Sequence, residues 1–327
     1  MMNDKIISSS PHIRSKTTTA GIMTDVVIAL MPALIMSVFY FGIRTLYLTV
    51  IAVAFCVLFE YLWQRFLKKP ITLCDGTAVV TGVLLALNLP VTAPWWLCAV
   101  GALVAIIIIK QFFGGTGCNF MNPAMGARAF LLASWPVLMT LWAQPHTTGF
   151  TIGADAVSSA TPLAMLKSGD VASLPPLFDM FVGNIPGCMG EVCVPALLLG
   201  FVYLLVRRVI TPTIPLSYIL TLALFSFIFK TEGLTAADSA LYAVMSGGVL
   251  LGAIFMATDY TTSPITVRGQ LIMGIGCGLI TFVIRRLGGY PEGVTYGILL
   301  MNVATPLIDK LVRPKKFGMV KGAARHA

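Results

Sequence analysis

The sequence predicts an all-α polytopic membrane protein, with about ten transmembrane helices arranged as two inverted five-helix repeats. Three observations carry this expectation. Of the 327 residues, 57% are hydrophobic and only 11% are charged, too apolar for a soluble chain of this length. Ten apolar stretches recur, several of them shorter than the roughly 20 residues that cross a bilayer as a helix. The third observation is internal: Gly82-Val83-Leu84-Leu85 in the third stretch returns as Gly248-Val249-Leu250-Leu251 in the eighth, with Pro94 and Pro264 following at similar offsets.

In chain order, residues 1–21 are polar, carry Lys5, Arg14 and Lys16, and read as a cytoplasmic N-terminal segment. The first long apolar run lacks a small-residue cleavage site, so no signal peptide is expected. Residues 22–142 form the first repeat, with spans at 22–41, 45–63, 77–89, 95–109 and 124–142. Residues 143–193 interrupt the apolar pattern. They hold four acids (Asp155, Asp170, Asp179, Glu191) and one base, Lys167. Residues 194–312 form the second repeat, with spans at 194–209, 214–229, 241–257, 269–284 and 293–312, and residues 313–327 are a basic tail. Five spans per copy is an odd number, so the copies must face opposite ways. In inverted repeats of this kind the working site lies near mid-membrane between the halves.

The net charge of +9 is explained by loop bias rather than by nucleic-acid binding. With the N-terminus inside, fifteen loop lysines and arginines lie on the cytoplasmic side and five outside (Arg44, Lys167, Lys230, Arg285, Arg286). Both ends are therefore expected inside and the 143–193 loop outside. The Arg285-Arg286 pair is the exception. The seven cysteines contain no CxxC pair. Cys188 and Cys193 share the loop and could bridge, but free thiols are the expectation. His12, His146 and His326 are too dispersed for a metal site, and no phosphate-binding glycine loop is present. Among the acids, Asp25, Asp75, Asp259 and Asp309 read as solvated helix ends, and Glu60 as a partner of Arg65.

The loop holds the stretch of interest, Ser158-Ser159-Ala160-Thr161-Pro162-Leu163. A residue before proline is pushed to extended geometry, threonine caps helices well, and proline suits the first helical position. Thr161 thus reads as the N-cap of a short helix running to Lys167, its hydroxyl near the amides of Leu163 and Ala164. By itself this is the pattern of an ordinary capped turn. The same position would also favour a phosphate on the Thr161 oxygen.

The S-x-A-T-P-L string resembles the flavin-attachment motif of the family that holds the D subunit of the Rnf ion-translocating electron-transport complex and the B subunit of the sodium-pumping NADH:quinone reductase. Many members have glycine where this chain has Ser159. The resemblance extends to Ser10-Pro11-His12, Lys110 to Gly115, Asn122-Pro123-Ala124, Gly288 to Val294 and Asn302 to Asp309. The short chain and small N-terminal extension favour the Rnf branch.

The resemblance implies FMN joined through its phosphate to Thr161, with Ser158, Ser159, Leu163 and Ala164 around it. It implies a flavin transferase that attaches the FMN on the outer side, and a second, non-covalent riboflavin in the bundle, with Arg128 as a candidate contact. It also implies partner subunits (Rnf A, B, C, E and above all the FMN-bearing G), a bacterial inner-membrane location, and electron relay between ferredoxin and NAD coupled to Na+ or H+ translocation. The rival readings are the quinone-reductase subunit, a flavin-free transporter or channel, and a passive scaffold.

Overall fold

The computed structural model describes residues 17–146, 159–289 and 292–313. Every regular element among them is helical: α1 (Thr19–Phe41), α2 (Arg44–Phe66), α3 (Thr77–Leu87), α4 (Trp95–Leu103), α5 (Pro123–Ser134), α6 (Pro136–Met139), α7 (Pro162–Ser168), α8 (Leu177–Val182), α9 (Val194–Val206), α10 (Thr213–Ile228), α11 (Ala236–Met245), α12 (Val249–Leu251), α13 (Val267–Leu287) and α14 (Val294–Leu311). Two of them continue as wider π-helix, α4 through Val104–Gln111 and α12 through Gly252–Met256. Residues 1–16 and 314–327, which hold most of the N-terminal segment and the basic tail, lie outside the described residues, as does Ser158.

This is a polytopic membrane protein. By length and apolar composition α1, α2 and α13 can each cross a bilayer, and α11 with α12 and its extension, bent by 64°, is long and apolar enough for a broken span or a re-entrant loop. The apolar helices α3, α4, α9 and α10 are shorter. Large apolar side chains such as Ile35, Phe39, Val50, Leu199, Leu220 and Ile275 point outward from the long helices. Such a surface suits lipid and not water.

Two expected spans are broken. The stretch 124–142 divides at Trp135, because Pro136 has no amide to continue the ladder and forces its neighbour out of helical geometry (φ −132°, ψ 63°). The stretch 241–257 divides at 246–248, where Gly247 takes a left-handed φ of 65°. Helix α3 also stops early, at Leu87, and leads into an irregular run to Pro94.

Packing pairs like with like. Within the first half α2 packs on α3 and α4; within the second, α10 packs on α11 and α13. Between the halves α1 packs on α9 and α5 on α14. The α1–α9 crossing is close: a Cβ on Gly200 would stand 2.3 Å from the Ala29 carbonyl oxygen.

The helix ends left inside the bundle keep their carbonyls satisfied, as burial requires. At the end of α3 the loop segment 186–193 tucks in. Gly190 N donates to Leu87 O (2.8 Å), Met189 N to Leu89 O (3.1 Å) and the Cys188 thiol to Asn88 O (3.3 Å). At the end of α11 the donor is a side chain: Arg285 reaches Ala243 O (2.6 Å) and Ser246 O (2.9 Å). This corrects the reading of Arg285 as a loop charge. Arg285 is an internal cap, and only Arg286 is a loop charge.

Candidate functional site

Helix α7 starts as its sequence dictates. Thr161 has extended geometry (φ −74°, ψ 153°), Pro162 takes the first helical position, and the Thr161 hydroxyl oxygen accepts from Ala164 N at 3.2 Å. Only Ala164, of the two amides expected at that oxygen, bonds to it. Gly169 ends the helix in left-handed geometry. Ser159 does not have the positive φ that would demand glycine, so the serine fits here without strain. Its backbone N–H donates to Trp142 O at 3.1 Å.

A cavity of about 250 Å³ opens beside this turn. Its lining includes Ser159, Thr161, Leu163, Ala164 and Arg128, which are all of the site residues expected from the sequence that are described. Arg128, expected beside a second flavin, therefore stands on the wall shared with Thr161. The remaining walls are Leu132, Met139, Trp142, Ile185, Pro186 and Val192, with Glu191 and Glu292 as acids. Two buried polar atoms on this lining have no hydrogen-bond partner, Ser159 Oγ and Glu191 Oε2. A chamber with apolar walls and a few convergent polar groups is the usual form of a small-molecule site.

Behind the cavity lies a buried polar cluster at the junction of the halves. Arg128 of α5 donates to Asn88 Oδ1 (2.5 Å), to Cys188 Sγ (3.2 Å) and to Glu292 Oε2. Glu191 accepts from Cys188 N at 3.0 Å through one oxygen, and its other oxygen is buried without a partner. Oxygens of Glu191 and Glu292 and the Cys188 sulfur lie within 4.8 Å of one another. That triangle resembles a cation site, but the Arg128 guanidinium already bonds two of its corners and would repel a metal ion. Burial, and then the nearby Glu292 charge, push the Glu191 carboxyl up to about 7. Burial also pushes the Cys188 thiol well up, so it stays protonated. Cys188 and Cys193 are both free.

A second cavity, of about 110 Å³, lies apart from the first and is lined by Thr77, Lys110, Asn119, Asn122 and Asp259 among others. Next to it Glu60 is fully buried and accepts from Lys110 Nζ at 2.8 and 2.9 Å and from Gln111 Nε2 at 2.9 Å. This corrects the expected pairing of Glu60 with Arg65. Five residues along a helix is a turn of about 140° past full circle, so the two side chains diverge, and the π-helical end of α4 supplies the partner instead. Asp25 is also paired, with Arg207 at 3.3 Å. Burial raises the Asp259 carboxyl, which accepts from Thr262 Oγ at 3.2 Å.

The profile of the NQR2, RnfD, RnfE family matches residues 6–318. The chain belongs to this family. It is 51% identical over 317 residues to the D subunit of the Na(+)-translocating ferredoxin:NAD(+) oxidoreductase complex of Acetobacterium woodii, covering 96% of each chain. It is 42% identical over 321 residues to the D subunit of the proton-translocating ferredoxin:NAD(+) oxidoreductase complex of Clostridium ljungdahlii, covering 95% of this chain and 96% of that one. The D subunit of the ion-translocating oxidoreductase complex of Colwellia psychrerythraea is 36% identical over 349 residues, with 97% and 98% covered.

Sequence reasoning within this family missed Glu191, Glu292, Cys188 and Asn88. Asn88 and Gly248 sit at or next to the repeated Gly-Val-Leu-Leu stretches, so the repeat did mark the helix breaks. Gly248 leaves room for the acid: a Cβ there would stand 3.0 Å from Glu191 Oε2.

Proposed function

We propose that this chain is the flavin-carrying membrane subunit of an ion-translocating ferredoxin:NAD oxidoreductase complex of the Rnf type. FMN is held by a phosphoester to Thr161, and riboflavin is bound without a covalent link. The observation that carries the reading is convergence. Thr161, Ser159, Leu163, Ala164 and Arg128, which the sequence singles out, line one cavity with unpartnered buried polar atoms. Such a lining fits a flat heterocycle with a polar edge.

When bound, FMN supplies one- and two-electron transfer. The chain's residues hold and tune it. Thr161 would anchor the phosphate, and Trp142, the aliphatic walls, Ser159 and Glu191 would enclose the ring system. Arg128, locked by Glu292 and Asn88, gives the wall a fixed charge. The second cavity, with Asn119, Asn122 and Thr77, is the place for riboflavin. Electrons pass between these flavins and the FMN-bearing G subunit, in a complex with the A, B, C and E subunits. A flavin transferase loads Thr161.

The same reading sets both termini in the cytoplasm, Thr161 on the outer face of the bacterial inner membrane, and residues 22–142 and 194–312 as inverted copies. The matched pairing of α1 with α9 and α5 with α14 supports the last point. The names of relatives include both sodium- and proton-translocating complexes, so both ions belong in the assay.

The test is a gel. Membranes from cells that make the complex and the transferase are denatured, run out and viewed under ultraviolet light. The wild-type chain should give a fluorescent band that disappears in Thr161→Ala and carries the mass of FMN on the Thr161 peptide. A dark wild-type band would leave a flavin-free transporter as the reading.

A further inference from the structure

We propose that Glu191, sharing Arg128 with Glu292, is the proton-exchanging carboxyl of the Thr161 cavity, and that it takes up one proton when one electron arrives there. The inference rests on the flavin reading and adds to it a role for a residue outside the attachment motif.

The geometry sets the charge balance. Two carboxylates with oxygens within 4.8 Å of one another face a single guanidinium. Glu292 holds that guanidinium directly, while Glu191 bonds Cys188 and has no direct bond to the guanidinium. The other Glu191 oxygen is buried and has no partner, and Glu191 is one of the residues lining the cavity. With both acids ionised the trio carries one net negative charge; with one proton it is neutral. Like charges this close in a low-dielectric site raise the affinity of Glu191 for a proton.

The other charged or titratable groups facing this cluster do not change that conclusion. Cys188 stays a thiol, and Arg285 of α13 is turned to the carbonyls of Ala243 and Ser246. Burial and the neighbouring Glu292 charge raise the Glu191 carboxyl to about 7, where it can exchange a proton near neutral pH.

One electron entering the cavity adds one negative charge beside two acids of which only Glu292 bonds the guanidinium, and this draws Glu191 to its protonated form. The electron comes from the partner subunits of the complex. The proton comes from solvent and is held as the Glu191 O–H. No bond of the chain breaks. When the electron leaves, the proton is released. Electron passage and proton occupancy are thus coupled at one carboxyl, at the junction of the two halves.

The experiment uses the whole purified complex. Reduced-minus-oxidised infrared difference spectra are driven electrochemically, in light and heavy water, for wild type, Glu191→Gln, Glu191→Asp and Thr161→Ala. Reduction should produce a protonated-carboxyl C=O band that shifts in heavy water. The band should be lost in Glu191→Gln, displaced in Glu191→Asp, and lost in Thr161→Ala, where no electron reaches the cavity. If Glu191→Gln does not assemble, displacement in Glu191→Asp decides. A band unchanged in both Glu191 variants, or one that persists in Thr161→Ala, overturns the proposal. So does the absence of the band in a wild-type complex whose gel band is fluorescent, a result that leaves the flavin reading intact. A dark gel band sinks the flavin reading itself, and this inference with it.

Discussion

Replacing Lys110 with methionine isolates the energetics of the buried Glu60 pair. Glu60 is fully buried on α2, and the Lys110 amine reaches both of its oxygens, at 2.8 and 2.9 Å, and Thr77 Oγ at 2.6 Å. Methionine keeps the volume and removes the charge. The carboxylate would keep only two amide donors, Gln111 at 2.9 Å and Gln64 at 3.4 Å. Stranding one member of a buried ion pair costs about 3–5 kcal/mol. The two amides offset part of this, so the lower end, about 3 kcal/mol, is expected. At roughly 2–3 °C per kcal/mol for a chain of this size, the melting midpoint should fall by about 6–9 °C. The assay is a tryptophan-fluorescence melt in detergent at one fixed scan rate, since unfolding of such a protein is irreversible. Pairing the change with Glu60→Gln removes the stranded charge and should recover most of the loss. A single variant as stable as wild type, or a double variant as weak as the single, would refute the reasoning.

Three other outcomes are expected. Gly200→Val should abolish stable assembly, because even a Cβ would stand 2.3 Å from the Ala29 backbone oxygen, and backbone cannot yield as a side chain does; size-exclusion chromatography of the complex checks it. Arg285→Ala should lower the melting midpoint by uncapping α11 at Ala243 O and Ser246 O, with Arg285→Lys restoring part of it. The Glu191 carboxyl is raised in the folded state to about 7, above its unfolded value, so its stabilising contribution is full under acid conditions and is lost as pH rises through about 7. Melts at pH 6 and pH 8 should therefore show Glu191→Gln gaining on wild type at the higher pH, and an equal gap at both would contradict this assignment.

The sequence made the fold class legible because apolar composition and span length are local properties. The Thr161 turn was legible for the same reason: threonine, proline and a following helix former fix one geometry. The Arg128–Glu191–Glu292 cluster was not. Its members come from α5, the loop and the entry to α14, and nothing in their spacing brings them together. Glu60 was assigned the wrong partner because the true one lies fifty residues away on a neighbouring helix. Arg285 looked like a misplaced loop charge because the carbonyls it satisfies become free only once α11 has broken. Nothing in the sequence of the loop showed that its segment 186–193 packs against the end of α3, because the contacts join residues about a hundred positions apart.

The wide turns that end α4 and follow α12 act as a phase setting. In the first, Phe112 N bonds Ile107 O, five residues back, so the coil holds one residue more than an ordinary turn would. That surplus sets the azimuth at which neighbouring residues Lys110 and Gln111 both meet one acid. A chain one residue shorter there would close into a standard turn and swing the remainder of the helix by about 100°. The amine would then face away from its carboxylate with no change in composition. The second wide turn does the same for Met256, whose carbonyl receives Asn122 Nδ2 at 3.2 Å and whose sulfur receives Asn88 Nδ2 at 3.7 Å. Each half of the molecule is thus indexed by a single surplus residue, and a deletion there would break its register more completely than most substitutions.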